Sequence, residues 1–439
     1  MFSTNQTLKQ NEHDMVILLV SLFLFLAIGV PIAYSLGLST ALYFLIFNNE
    51  LLQVVPQILF AGMDSYTLIA LPLFILMGQL MNESQITSRL IDYCLIFVGK
   101  IRGGLGLVNV ISSMLFGGIS GSSVSDTASI GSILIPEMKK RGYPEDYAAG
   151  LTVASSTMGM IIPPSIPMVL YAVTAQESVG RLFLGGVIPG ILVGALQLLI
   201  TIWLSNKNSY PREDREISLK IILKMTARNS YILFMPFFVV GSVILGIATA
   251  TESAALGVFY ALMIGVFLIK SLEKKRIYRA LRSSVLTSAK IMIIIAFSKI
   301  FIWVLAYERI PDGLSEMISG FGLNPTGMLF LFIIIILIAG TFIDVSPAIL
   351  LFTPVFLPSI IEMGISPILF GVVLVIGLAV GACTPPVGNC LNVCSIITGL
   401  SIGKIFKGAV PFLVANIITL FLIVIFPNIV VWLPKIIMD

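Results

Sequence analysis

Apolar residues run along this chain in long solid blocks, at positions 16–47, 182–204, 231–270, 328–342 and 412–431. A helix needs about 20 such residues to cross a bilayer, so these blocks predict membrane helices. Their solid character excludes the alternating pattern of a membrane β-barrel strand. The predicted fold class is therefore all-α and polytopic. Residues 231–270 hold two spans with a turn near Gly246 to Glu252. Two other regions read as pairs of helices too short to span. Residues 105–120 and 126–138 flank Gly121-Ser-Ser-Val-Ser125, and residues 328–342 and 348–361 flank Asp344-Val-Ser-Pro347. Each pair predicts a re-entrant hairpin. The apolar run after each is broken by Pro163-Pro164 or Pro385-Pro386. Paired prolines remove backbone donors and clash with the preceding turn, so both helices must unwind there.

These irregularities recur at a nearly fixed spacing. Asp126 precedes Pro136 by ten residues and Asp344 precedes Pro354 by ten, an offset of 344 − 126 = 218. Gly159-Met-Ile-Ile-Pro163-Pro164 and Gly381-Ala-Cys-Thr-Pro385-Pro386 are offset by 381 − 159 = 222, as are Gly142 and Gly364. Gly99 and Gly320 differ by 221, as do Gly106 and Gly327. The chain thus divides into a polar tail (1–14), a membrane repeat (15–204), a basic connector (205–230), a second repeat (231–407) and a terminal helix with its tail (408–439). The first repeat holds its hairpin at about 105–138 and its broken helix at about 147–174; the second holds them at about 328–361 and 368–399.

Charge supplies sidedness, because Lys and Arg collect in cytoplasmic loops. They cluster at Arg89, Lys100 and Arg102, at Lys139-Lys140-Arg141, in 207–228, in 270–290, and at Lys404 and Lys407. The counterpart of Lys139-Lys140-Arg141 in the second repeat, 360–366, has no basic residue, so the two repeats are expected in opposite orientations. Inverted repeats are typical of secondary transporters. By the same symmetry 16–47 is two helices broken near Gly29-Val30-Pro31, with the N-terminus outside. The stretch 308–325 is acidic, with Glu308, Asp312 and Glu316. No cleavable signal peptide is evident, and the first membrane helix is expected to direct insertion.

Composition narrows the function. The 439 residues are 57% hydrophobic and 11% charged, with mean hydropathy +1.04. The net charge of +4 lies in short loops and does not indicate nucleic acid. Basic stretches and the amphipathic segment 82–100 suit lipid headgroups. His13 is the single histidine, which removes histidine catalysis and haem ligation. Cys94, Cys383, Cys390 and Cys394 lack a zinc partner set and read as packing residues.

The breaks carry the candidate chemistry. Irregular backbone at membrane depth survives where it lines a cavity or lies inside protein. Freed carbonyls with Ser and Thr hydroxyls are hard oxygen ligands that suit Na⁺, and half-helix N-termini favour an anion. Asp126 and Asp344 start the second hairpin helices. Each fits either a capping role alone or capping combined with coupling or gating. Glu252 is a third candidate buried acid or, at the outer end of its helix pair, a structural residue, while Asp64 and Asp92 look interfacial. No cofactor is expected beyond a coupling ion.

Phe116-Gly-Gly-Ile-Ser-Gly-Ser-Ser-Val-Ser-Asp-Thr-Ala, followed by Ile135-Pro-Glu-Met-Lys-Lys-Arg-Gly-Tyr143, resembles the large membrane subunit (DctM or SiaM type) of tripartite ATP-independent periplasmic transporters. So do Ile162-Pro-Pro-Ser-Ile-Pro167, Thr251-Glu-Ser-Ala-Ala255 and Thr384-Pro-Pro-Val-Gly388. Cys390 to Cys394 departs from the more hydrophobic run expected there. The resemblance implies a bacterial inner-membrane, Na⁺-coupled elevator transporter importing an organic acid such as a C4-dicarboxylate or sialic acid. It also implies a small four-helix membrane subunit, expected as a separate chain, and a periplasmic substrate-binding protein. It maps substrate binding to Ser122, Ser123, Pro163, Pro164, Ser165, Pro385, Pro386 and Asn389. It maps ion binding to Ser123, Asp126, Ser156, Gly159, Asp344, Gly381, Thr384 and Gly388. A stand-alone anion carrier is the alternative, and an intramembrane aspartyl protease built on the two aspartates is a weaker one.

Overall fold

The protein, described here from a computed structural model, is defined over residues 16–98, 101–212, 219–310, 313, 322 and 324–438. His13, Gly99, Lys100, Asp312, Glu316 and Gly320 lie outside the described residues. Among the described residues all regular structure is helical, and eight helices are long and apolar enough to cross a membrane. Large apolar side chains such as Phe60, Phe237 and Ile396 point outward, as a surface facing lipid requires.

The first expected pair is α1 (Val16–Ala27) and α2 (Ile32–Phe47), separated at Gly29, whose φ is +85°. Then follow α3 (Val55–Met63), α4 (Ala70–Glu83) and α5 (Ile86–Val98). The first hairpin is α6 (Gly104–Ser120) and α7 (Ser123–Lys140). The broken helix after it is α8 (Glu145–Ser156), α9 (Met158–Ile161) and α10 (Ile166–Ala175), and α11 (Val179–Lys207) closes the repeat. Helix α12 (Leu219–Ile244) begins inside the stretch read as connector. It turns at Gly246 into α13 (Ala250–Met263), and α14 runs over Lys274–Tyr307. The second hairpin is α15 (Pro325–Gly340) and α16 (Val345–Glu362). The second broken helix is α17 (Pro367–Gly381) and α18 (Asn389–Thr398), followed by α19 (Ile402–Ile425) and α20 (Asn428–Met438).

The repeat is visible in these boundaries, and its register corrects the sequence reading. Helix α7 and helix α16 both start and end 222 residues apart (345 − 123 and 362 − 140). The cis peptides Pro163-Pro164 and Pro385-Pro386 keep the same spacing. At this offset Asp344 pairs with Ser122, since each is the N-cap of its helix, and Pro136 pairs with Pro358. The offset of 218 between Asp126 and Asp344 is thus a coincidence of type. Asp126 sits one turn inside its helix, and its counterpart is Ala348.

Packing sorts the helices into two groups. The hairpins, broken helices, α11 and α19 form one body. Lipid is as apolar as leucine, so close backbone approach by small residues holds such helices together. A Cβ on Gly150 of α8 would overlap the backbone of Gly408 in α19, and one on Gly408 would overlap the Asp146 carbonyl. Helices α1–α4, α13 and α14 form the other group, with α14 packed on α2, α3 and α4. A separate apolar cluster of Leu18, Leu36, Tyr43, Phe44, Phe301 and Val304 ties α1 and α2 to the C-terminal part of α14. The two groups meet along α4 and α14, where α10 packs on α4 and α16 on α14.

Candidate functional site

Each hairpin turn is fastened to the break of the helix that follows it. In the first repeat Gly121 takes φ +64°, and its carbonyl accepts from the Ile166 N–H at 3.3 Å, just past Pro163-Pro164. In the second, the Thr341 carbonyl accepts from the Val387 N–H at 3.2 Å, just past Pro385-Pro386. A glycine crossing supports each junction. A Cβ on Gly117 would lie 3.0 Å from Gly159 Cα, and one on Gly340 would lie 3.2 Å from Gly381 Cα. Gly117 and Gly340 escaped the sequence reading, although 117 and 159 repeat as 340 and 381 within one residue of the 222 offset.

In the first repeat the polar groups turn inward. Asp126 is fully buried; Oδ1 accepts from the Ser120 hydroxyl, and Oδ2 has no partner. A Cβ on Gly159 would strike Oδ2, so the glycine leaves that oxygen its space. Thr127 Oγ1 donates to Ser156 Oγ at 2.7 Å, and Ser156 Oγ in turn donates to the Val153 carbonyl at 2.7 Å. Ser123 Oγ lies 3.5 Å from Met160 Sδ and receives Cys390 Sγ at 3.3 Å, a contact that joins the two repeats. Ser165 caps α10, accepting from Met168 N at 3.3 Å and donating to the Met160 carbonyl. Ser123, Asp126, Ser156, Gly159, Pro163, Pro164 and Ser165 are therefore together, and all of them are buried.

In the second repeat the same elements face outward. Asp344 is exposed and caps α16, its Oδ1 accepting from Val345 N at 2.9 Å and from Asn389 Nδ2 at 3.0 Å. Thr384 Oγ1 donates to the Val380 carbonyl at 2.8 Å, and Gly388 takes φ +51° as the N-cap of α18. Gly381 is buried, Thr384, Pro385 and Asn389 are half-buried, and Pro386 is exposed. The remaining candidate acid does not join either group. Glu252 is exposed and closes a capping box with Thr249, accepting from its N–H at 2.8 Å, so its role is local.

A cavity of about 990 Å³ lies between the two groups of helices. Of the expected residues, Ser122, Ser123 and Asp344 line it; the opposite wall brings Gln79, Asn82 and Lys290. Asn82 joins the walls, donating to Ser125 Oγ at 2.6 Å and accepting from Ser129 Oγ at 2.9 Å. Sequence reasoning missed these wall residues. Their signal was a polar stripe, Gln79, Asn82 and Glu83, at helical spacing in an otherwise apolar run. Arg276 and Arg279 also reach the cavity. Arg276 donates to the Glu83 carbonyl at 3.1 Å, and Arg279 pairs with the Glu83 carboxylate at 3.7 Å.

The three cysteines of the second broken helix are packing groups: Cys383 and Cys394 lie against carbonyls of α8, at 3.4 Å from Val153 and 3.7 Å from Ala149. Among the described residues no three His, Cys, Asp or Glu side chains gather into a metal-holding group. What the site offers is hydroxyls, carbonyls and one carboxylate per repeat, a donor set for a hard monovalent cation.

Comparison with known proteins finds relatives along nearly the whole chain. The family described as the DctM component of the tripartite ATP-independent periplasmic transporter matches residues 19–429. The C4-dicarboxylate TRAP transporter large permease protein DctM of Pseudomonas aeruginosa is 36% identical over 91% of this chain and 94% of its own length. The sialic acid TRAP transporter large permease protein SiaM of Vibrio cholerae is 34% identical over 93% of this chain and 95% of its own. Among solved structures, the YdaH transporter of Alcanivorax borkumensis shares the fold, with a TM-score of 0.60 at 14% identity over 86% of this chain and 87% of that one.

Proposed function

This chain belongs to the DctM component family of tripartite ATP-independent periplasmic transporters, and from that premise we propose that it carries an organic acid anion inward across the bacterial inner membrane, driven by Na⁺. Its relatives are named as permeases, not enzymes. The family implies two partners, a small membrane subunit and a periplasmic binding protein that delivers the acid. The P. aeruginosa relative is named for C4-dicarboxylates and the V. cholerae one for sialic acid; an acid of that class is the proposed cargo.

One observation carries the reading. Two copies of one device, a hairpin turn fastened to a proline-broken helix, each bring a carboxylate to the junction, Asp126 beside the Ser120 hydroxyl and Asp344 beside the Asn389 amide. Half-buried or unwound backbone at membrane depth marks ion and solute sites. In this reading the hairpins are re-entrant from opposite faces. The body holding them slides as an elevator against α4 and α14. Arg276, Arg279 and Lys290 on the open cavity support a basic, cytoplasmic opening, which in this reading makes the state inward-facing.

The test is uptake into proteoliposomes by the complete three-component system under an imposed Na⁺ gradient. Ser123→Ala and Asp344→Ala are each expected to abolish Na⁺-driven uptake while the protein still purifies folded. Normal uptake by both variants would reject the site, and full uptake without the binding protein would favour a stand-alone carrier.

A further inference from the structure

A second cavity, of about 510 Å³, lies between the same two groups of helices, toward the other end of α14. Helix α14 lines both. Thr287, Lys290, Ile291 and Ile294 reach the first cavity, and Ile295 and Lys299 reach the second. Lys299 is nine residues beyond Lys290, about 13 Å along the axis at ~1.5 Å per residue. It is the sole charge in 291–307, a stretch otherwise fit to cross the bilayer.

Lys299 is built in. Gly62 of α3 faces its stem closely, and a Cβ there would lie 2.7 Å from Lys299 Cγ. Among the described residues, no carboxylate comes within ion-pair distance of it. A cation inside a membrane segment, facing a cavity and unpaired, marks a functional site by default. The other charges on the cavity are Asp64, exposed on the α4 side, and Glu177, in the turn between α10 and α11. Glu177 therefore belongs to the body that carries the hairpins, and Lys299 to the fixed helix.

We propose that the second cavity is a docking site for the substrate carboxylate on the periplasmic side, with Lys299 as the fixed cation that receives it. The proposal rests on the transport reading above. In the inward-facing state Glu177, the protein's own carboxylate, occupies the same cavity. When the carrying body moves outward, Glu177 leaves with it and the hairpin tips approach Lys299. The fixed helix then offers a cation at each end of the path, Lys290 inside and Lys299 outside, separated by apolar Ile291, Ile294 and Ile295.

Two measurements test this. In the first, Ser65→Cys places a thiol in the second cavity, while native Cys94, Cys383, Cys390 and Cys394 stay buried. In reconstituted complex, adding Lys299→Gln should slow modification by anionic sulfonatoethyl methanethiosulfonate about 10-fold, the scale of electrostatic focusing. The cationic trimethylammonium reagent should not slow. In the second, Lys299→Gln should raise KM for succinate or N-acetylneuraminate uptake, whichever the wild type carries, about 10-fold, with the maximal rate kept within about twofold. Lys299→Arg should restore both readouts. Equal labelling rates with normal KM overturn the docking site while the transport reading stands. An ion-pair lock would make Glu177→Gln reproduce the Lys299→Gln defect, and that result also overturns the proposal. If the wild type carries neither acid but the labelling difference persists, the cargo assignment fails and the anion site remains.

Discussion

Gly381→Ala tests whether the hairpin-to-break junction sets the geometry of the ion site. A methyl at 381 would lie 2.5 Å from the carbonyl carbon of Gly340, 2.6 Å from its Cα and 2.7 Å from its oxygen, against an ordinary contact of 3.4–4 Å. All three atoms are backbone of α15, so no side chain can turn aside. The helices must part by about 1 Å. Forcing a methyl into a close-packed junction costs ~1–3 kcal/mol. If that strain falls on the ion-bound state, Na⁺ affinity drops by ~5- to ~150-fold, at 1.4 kcal/mol per tenfold. The assay is initial uptake in proteoliposomes as a function of external Na⁺. Gly403→Ala is the control, because a Cβ at 403 meets nothing within 4 Å. The half-saturating Na⁺ concentration should rise for Gly381→Ala and stay put for Gly403→Ala. Identical Na⁺ curves for Gly381→Ala and wild type would refute the argument that this crossing holds the site.

Two further substitutions probe the interior. Asp126→Asn keeps the shape but removes the charge beside an oxygen that has no partner, and Na⁺-driven uptake should fall at least 10-fold while thermal stability holds or rises, since an unpaired buried charge is costly; unchanged uptake would assign Asp126 to structure alone. Asn416→Leu cuts a buried chain in which Gln197 Nε2 donates to Asn416 Oδ1 at 2.9 Å and Asn416 Nδ2 donates to Thr157 Oγ1 at 2.7 Å. Interhelical bonds in membranes are worth ~0.6 kcal/mol on average and ~1.7 at most. The loss should therefore lower the detergent melting temperature by a few degrees without unfolding the protein.

Much of this was legible because the strongest signals are local. Proline pairs must break helices, so both breaks were placed from sequence. Gly29 and Gly246 announced their turns because both hold positive φ. Register was not legible to the same degree. Asp126 and Asp344 look alike in one dimension, and only the helix caps show that Ser122 is the true counterpart of Asp344. Depth was also hidden. Nothing local separates buried Pro163 and Pro164 from the more exposed Pro385 and Pro386, because exposure depends on which helices pack alongside. Glu252 illustrates the converse. Its capping box is readable as Thr249-x-x-Glu252, and that pattern decides for the structural role over the buried acid.

The corrected register changes what the symmetry means. Devices that fix backbone are kept in both repeats: equal helix bounds, the turn-to-break hydrogen bond and the glycine crossing. Positions that bear chemistry are not kept, since Ser122 faces Asp344 and Asp126 faces Ala348 across the repeat. Each repeat still supplies one carboxylate, but at different depths. Asp126 is sealed one turn inside α7, while Asp344 caps α16 on the cavity wall. On the coupling reading, a cation held by Asp344 keeps contact with cavity water, while one at Asp126 must shed its hydration. Two such sites cannot load and empty with equal ease. On that reading the shallow site would exchange with the cavity first, and the deep one would wait on movement at the Gly117 to Gly159 crossing. On that proposal, a pseudo-symmetric frame would give an ordered pair of ion steps without any further moving part.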